Sequence, residues 1–380
     1  MQENKSNSRV RIVIGVIVIV VAAGMVLWLY NGNRSATQVG EPSLDGDFRE
    51  LKATTVVPTL DTPIKRDMSA IWCASFLSAW KTLEADLAKE PLAMQGSPEV
   101  AKALNEAADP RAHIPKASLY VAAGRNQEGV IEKIRNDLAQ KLPGKSPPAF
   151  PGILPNSLVA YAYLEANVKF SLPYFQSRKP VVFTDRVGKK SELSAFGIRP
   201  EDEYAYFNLR QQPAILFQAR GGGYELTELV IDLDRTSQPS QIILAFMQPK
   251  PTLSEMLKTV EENITTAGRR EGRDGLGPND VLLVPDIVWR ISHRFAELEG
   301  QEFTNAKLKG QRIDVAQQDI QFRLDRSGAQ LKSEAKIYMK PAPTYYVFDR
   351  PFILYMKQRG AQIPYFVMWV ENAELLNKWN

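Results

Sequence analysis

The chain has little of what a catalytic or metal-binding site needs. It contains one cysteine, Cys73, so no internal disulfide is possible and the fold depends on its core. Its two histidines, His113 and His293, are far apart, and no His-Glu-x-x-His motif or cysteine pair indicates zinc. A Gly-x-Ser-x-Gly motif is also absent. The sequence therefore favours a non-enzyme, and it indicates no bound metal and no cofactor.

A strong excess of charge of one sign is also lacking. The 47 basic and 43 acidic residues are interleaved and give a net charge of +4. That bias is too small to indicate a nucleic-acid partner. Apolar residues make up 44% of the 380-residue chain and charged residues 24%, which is typical of a globular protein.

One segment alone is apolar enough to cross a membrane. Residues 12–30 carry no charge, and about nineteen helical residues span a hydrocarbon core of roughly 30 Å. Basic residues precede this segment and Trp28 and Tyr30 close it, which predicts a cytoplasmic N-terminus. A cleaved signal peptide is the alternative, but residues 35–37 form a poor cleavage motif.

This segment sets the predicted organisation of the chain. We predict a cytoplasmic N-terminus (1–11), a transmembrane anchor (12–30), a linker (31–61) and one extracytoplasmic domain (62–380). The protein would then be a single-pass protein of the cell membrane.

Helical patterns gather in the first half of the exported part and strand patterns in the second. Ser69 is predicted to cap a helix whose apolar side chains are Trp72, Phe76, Trp80, Leu83 and Leu87. Amphipathic helices are also predicted at 128–142 and 253–264. Predicted strands are 158–164, 225–233, 242–247, 281–291 and 313–324. This segregation favours an α+β fold.

The end of the chain has the clearest pattern. In residues 347–370, two apolar runs rich in aromatic and β-branched residues flank a polar turn that contains Gly360, which predicts a hairpin. Neither run alternates apolar with polar residues, so both faces of the hairpin should be buried. The last residues of the chain are therefore expected to complete the fold.

The residues that lead into this hairpin resemble the C-terminal signature of the serpin family. They are Phe348, Asp349, Arg350, Pro351 and Phe352. From about residue 69 onward, the order of helices and strands is similar to that family. The resemblance implies helices, mainly in the first half, around a large mixed central sheet with additional β-sheets. It also implies a reactive loop upstream of the signature.

The resemblance assigns roles to residues of that loop. Gly328 and Ala329 correspond to the hinge. Counting forward from the hinge by the family spacing puts the reactive bond after Ala342, and counting back from the signature puts it after Lys340.

Several residues depart from what inhibition by loop insertion needs. Pro341 or Pro343 follows the candidate bond, and most serine proteases cleave poorly before proline. Leu331 is large for a side chain that must slide into a sheet. We therefore predict a membrane-anchored, non-catalytic serpin-like protein whose inhibitory loop is impaired or lost.

Two alternatives remain. One is a working inhibitor of serine or cysteine proteases that acts through residues 329–347. The other is an unrelated ligand- or partner-binding α+β domain. A protease or another protein is the expected partner besides the membrane. In the loop, Tyr338, Met339, Tyr345 and Tyr346 could contact a partner or pack back onto the sheet.

Overall fold

A computed structural model describes residues 10–16, 49–141, 150, 157–168, 170–199, 207–222, 225–267, 275–313, 315–326 and 344–379. The main helices are α1 (Ala74–Leu83), α2 (Glu99–Glu106), α3 (Val130–Lys141) and α4 (Leu253–Ala267). The strands are β1 (Val10–Val16), β2 (Thr54–Val56), β3 (Ser69–Cys73), β4 (Leu119–Arg125), β5 (Leu158–Val168), β6 (Phe175–Gln176), β7 (Val181–Thr184), β8 (Lys190–Leu193), β9 (Ala195–Ile198), β10 (Ala214–Arg220), β11 (Leu226–Asp232), β12 (Ser240–Phe246), β13 (Val281–Pro285), β14 (Ile287–Arg294), β15 (Gln317–Leu324), β16 (Tyr345–Val347), β17 (Phe352–Gln358) and β18 (Phe366–Val370).

The largest sheet has seven strands in the order β10-β11-β12-β17-β18-β3-β2. It is mixed, because β2 and β3 are parallel while the other neighbours are antiparallel. The C-terminal hairpin β17–β18 lies inside this sheet, and Phe352 and Trp369 are both buried. The predicted hairpin, buried on both faces, is confirmed.

The predicted helix start at Ser69 is wrong. Residues 69–73 form β3, all five are buried, and the helix begins at Ala74. The hydroxyl of Ser69 accepts hydrogen bonds from the backbone N–H groups of Glu371 and Asn372, and it caps no helix. A short run of apolar residues is compatible with a strand buried on both faces as well as with a helix. Here residues 69–73 are a strand because they pair with β18.

Helix α1 is surrounded by protein. All ten of its residues are buried, and it packs against β4 and β5. Its buried residues include the polar Ser75, Ser78, Lys81 and Thr82, so no face of this helix is left to solvent. Helix α3 has the predicted apolar face, made by Val130, Ile131, Ile134 and Leu138. The helices and sheets together confirm the predicted α+β class.

Four smaller sheets complete the described part of the chain. Their orders are β1-β5-β4, β16-β13-β9-β6, β14-β15 and β7-β8. Strand β1 pairs antiparallel with β5, with Val10 opposite Val168 and Val13 opposite Glu165, and it also lies against β15.

The first residues of the predicted membrane anchor, 12–16, thus belong to a strand. The rest of the anchor lies outside the described residues, so the anchor stays a prediction. No helix in the described ranges combines the length and apolar character that crossing a bilayer requires.

Candidate functional site

The residues predicted for the reactive loop lie outside the described residues. This applies to the hinge and to both candidate bonds, that is, to Gly328, Ala329, Lys340, Pro341, Ala342 and Pro343. It also applies to Leu331, Tyr338 and Met339. The structure does describe the residues on either side of 327–343. The point at which the chain leaves the described domain before residue 327 is here called the exit, and the point at which it comes back after residue 343 is called the return.

The exit is the end of β15. Leu324 is the last residue of that strand and lies opposite Ile287 of β14. The guanidinium of Arg323 forms an ion pair with the carboxylate of Asp325, and both side chains are largely buried. This pair holds the chain in place one residue past the strand.

Asp286 lies beside the exit, between β13 and β14. Its Oδ2 accepts a hydrogen bond of 2.6 Å from Nε2 of Gln176, while no described residue hydrogen-bonds to its Oδ1. Burial raises the pKa of the Asp286 carboxyl to about 6 from its usual 3.8. The hydrogen bond from Gln176 lowers that pKa, and the charge of Asp325 raises it. A titratable carboxylate therefore lies next to the end of β15.

Replacing Asp286 by asparagine is expected to flatten the pH dependence of stability between about pH 4 and about pH 6. The folded protein holds this proton more tightly than the unfolded chain. The contribution of Asp286 to the free energy of unfolding is therefore present at low pH and is lost as the pH rises through about 6. A shift of about two units corresponds to at most about 3 kcal/mol. Urea unfolding at about pH 4 and about pH 7.5 measures the difference, and the variant should gain relative stability at the higher pH.

Asp67→Asn is the matched control, because Asp67 is exposed. It measures the effect of replacing a surface carboxylate by an amide away from the exit. If Asp286→Asn and the unaltered protein show the same dependence, Asp286 is not the group that titrates.

The return is held by hydrogen bonds to Asp280. Its Oδ1 accepts from the N–H of Thr344 at 2.9 Å, and its Oδ2 accepts from the N–H of Gly277 at 2.8 Å. Strand β16 then runs parallel to β13, with Tyr345 opposite Val281. The chain is therefore part of a sheet as soon as it re-enters the described region.

This pairing corrects the C-terminal limit of the predicted loop. Residues 345–347 had been included in it, but they form β16. Tyr346 is fully buried, and its hydroxyl lies 3.3 Å from Oε1 of Gln218, whereas Tyr345 is 62% exposed. The sequence left two roles open for these tyrosines, contact with a partner or packing onto the sheet. Tyr346 packs onto the sheet, and Tyr345 remains accessible to a partner.

The two phenylalanines of the C-terminal signature are part of the core. Phe348 and Phe352 are completely buried, with ring centroids 5.3 Å apart in an edge-to-face arrangement. The guanidinium of Arg350 lies over the ring of Phe246 and pairs with Asp349 at 3.0 Å. The signature therefore joins β16 to the seven-stranded sheet, and its contacts are structural.

Sequence reasoning missed Asp280 and Asp286. The available signal was their position, because they directly flank the buried strand β13. A carboxylate at each end of an apolar pentapeptide indicates that these groups hydrogen-bond to the neighbouring chain, since buried carboxylates need donors.

A separate pocket lies between α4 and β17. It has a volume of about 160 Å³ and is lined by Leu60, Leu257 and Ile363 among others. The hydroxyl of Tyr355 is buried there without a hydrogen-bond partner among the described residues. The ammonium of Lys357 lies 2.6 Å from Oε1 of Glu261 at the same pocket. In the described parts of the chain, no group of three histidine, cysteine or acidic residues could hold a metal ion.

No family model matches this chain, and no curated protein matches it. Solved structures that are similar to it include a thermophilic serpin, tengpin, in its native state, at 9% identity and a TM-score of 0.45, covering 81% of this chain and 90% of that chain. Human thyroxine-binding globulin in complex with thyroxine is similar at 12% identity and a TM-score of 0.46, covering 81% of this chain and 93% of that chain. Mouse protein Z-dependent protease inhibitor is similar at 11% identity and a TM-score of 0.47, covering 82% of this chain and 91% of that chain. At these values the similarity concerns the backbone arrangement alone.

Proposed function

We propose that this protein is a non-catalytic, serpin-like binding protein, anchored in the cell membrane by residues 12–30. Residues 327–343 would project from the domain and bind a partner, a protease or another protein. In this proposal the inhibitory insertion of that segment is impaired or lost.

The proposal depends mainly on the separation of the exit and the return. The exit lies opposite Ile287 of β14, and the return lies opposite Val281 of β13. These two residues are six positions apart along the stretch that forms β13 and β14. At about 3.3 Å per residue and two strand spacings of about 5 Å, the gap is at most about 30 Å. The seventeen residues 327–343 can reach about 60 Å when extended. The chain between the two fixed ends is therefore about twice as long as a direct link requires.

Impaired insertion is supported by the residues of the segment itself. Leu331 is large for a side chain that must enter a sheet between strands already in place, and a proline follows each candidate bond, at positions 341 and 343. Residues 12–16 belong to both β1 and the proposed anchor, so anchoring requires these residues to separate from β5.

Limited proteolysis tests this proposal. Serine and cysteine proteases are expected to cleave within residues 327–343, to form no SDS-resistant complex, and to leave the melting temperature of the cleaved protein unchanged. Covalent complexes, or a marked rise in melting temperature after cleavage, would contradict the proposal and favour a working inhibitor.

A matched variant separates the possible causes of lost inhibition. Pro341→Ala with Pro343→Ala removes the proline after both candidate bonds and leaves Leu331 unchanged. If this variant forms SDS-resistant complexes, the prolines alone prevent inhibition.

A ligand-binding domain is the second candidate function. The observation that favours it is the pocket between α4 and β17, where the Tyr355 hydroxyl is buried without a described partner. A small amphipathic molecule with a hydrogen-bonding group would suit an apolar pocket of this kind.

A further inference from the structure

The hairpin β7–β8 exposes apolar side chains at and near its turn. Val187, in the turn, is 70% exposed, and Val182, on β7, is 45% exposed. Only five large apolar residues in the described ranges are exposed, and these are two of them. Apolar residues exposed singly need no explanation, but two on one short hairpin indicate a contact surface.

Basic side chains lie at this turn and along β8. Lys189 and Lys190 are exposed where β8 begins. Lys378 is also exposed and pairs through its backbone with Leu193, at the end of β8 that is away from the turn. The acidic residues on the hairpin are Asp185, whose Oδ1 accepts a hydrogen bond from the N–H of Lys189, and Glu192.

Arg186 in the turn forms an ion pair with Glu371. The guanidinium Nε lies 2.9 Å from Oε1 of that buried carboxylate. This pair fixes the base of the turn to the residue that follows β18, so the exposed turn has a defined position on the domain.

The same corner of the domain receives the chain from the predicted anchor. Arg49 is the first described residue after β1, and its guanidinium donates to the backbone carbonyls of Glu374 and Val288. Burial lowers the pKa of Lys378, and the positive charges of Lys189 and Arg49 lower it further. Lys189, Arg49 and Lys378 come from separate parts of the chain and lie close enough for their positive charges to repel one another.

We propose that the turn of β7–β8 rests on the anionic phospholipid headgroups of the membrane that holds residues 12–30. This inference rests on the anchor in the proposed function. Val187 enters the interfacial layer, Lys189 and Lys190 face the lipid phosphates, and Lys378 adds to the positive charge along the hairpin. An apolar tip with basic neighbours is the arrangement that binds an anionic membrane surface. The contact would hold the domain in one orientation at the end of its linker.

A fluorescent label at the turn tests this inference in the full chain. Val187→Cys is labelled with an environment-sensitive fluorophore and reconstituted in nanodiscs. The native Cys73 does not interfere, because it is buried and burial raises the pKa of its thiol to about 12. In nanodiscs with phosphatidylglycerol, we expect a blue-shifted emission and quenching by a headgroup-attached spin label. Both effects should be lost with phosphatidylcholine alone and in the Lys189→Glu, Lys190→Glu variant.

The controls separate this inference from the anchor. Lys258→Cys, on the exposed side of α4, takes the same label and should report water in both lipids. Inorganic phosphate should not change the emission of the Val187→Cys label, which distinguishes headgroups from free phosphate.

Two outcomes would overturn the inference alone. They are a chain that co-purifies with nanodiscs while the Val187→Cys label remains in water, and equal shifts at both labelled positions. A chain that does not co-purify with nanodiscs overturns the anchor and this inference together.

Discussion

Gly197→Ala is expected to prevent the domain from folding. Gly197 lies in β9, opposite Leu283 of β13 on one side and Phe175 of β6 on the other. A Cβ atom at this position would overlap the backbone carbonyl oxygen of Leu282. Both groups belong to paired strands, so no side-chain rotation relieves the overlap. We expect a loss of more than about 4 kcal/mol, which is exceptional for one substitution.

The consequences should extend to the return of the 327–343 segment. Strand β13 pairs with β9 on one edge and with β16 on the other. If β9 separates from β13, the site that holds Thr344 and Tyr346 is disturbed as well. Soluble yield, circular dichroism and thermal melting measure the effect, and limited proteolysis should show cleavage extending into β16.

Gly222→Ala is the matched control for this substitution. Among the described residues other than its chain neighbours, no heavy atom lies within 4 Å of the position that a Cβ of Gly222 would take. Its melting temperature should stay within about 3 °C of the original, the shift that about 1 kcal/mol produces in a domain of a few hundred residues. If Gly197→Ala also melts within that range, the close approach of β9 and β13 is not required.

Trp369→Ala is expected to cost about 4–5 kcal/mol of unfolding free energy. Trp369 is 1% exposed in β18, opposite Ile353 of β17 and Ala70 of β3. Replacing a fully buried tryptophan by alanine typically costs about 3–5 kcal/mol, because the transfer energy is lost and a cavity remains. The indole N–H also donates a 2.9 Å hydrogen bond to Oε2 of Glu371, which is itself 2% exposed. Its loss leaves a buried carboxylate oxygen with one donor fewer.

Urea unfolding measures this cost, and Trp369→Phe separates its two parts. The phenylalanine variant keeps most of the apolar volume, removes the hydrogen bond and leaves a smaller cavity than alanine does, so it should lose about 1–3 kcal/mol. A loss of less than about 2 kcal/mol for Trp369→Ala would mean that the C-terminal hairpin contributes less to the core than its burial indicates.

The candidate site was only partly predictable. The signature at 348–352 was recognised from its residues, and the structure shows what these residues do in the core. The roles of Asp280 and Asp286 depend on partners far away in sequence, Thr344 for one and Gln176 for the other. No local pattern contains those pairings, so the exit and the return had to come from the three-dimensional structure.

By itself, the sequence determined that the chain folds without disulfides, that it is α+β, and that residues 352–370 form a buried hairpin. Continuous apolar runs and helical periodicity are local properties, and burial follows from them directly. Tertiary structure alone decided that residues 69–73 form a strand, that 345–347 join a sheet, and that glycine is required at 197. Those outcomes depend on which strands meet although they are far apart in sequence, as β3 meets β18, and on the space left between their backbones.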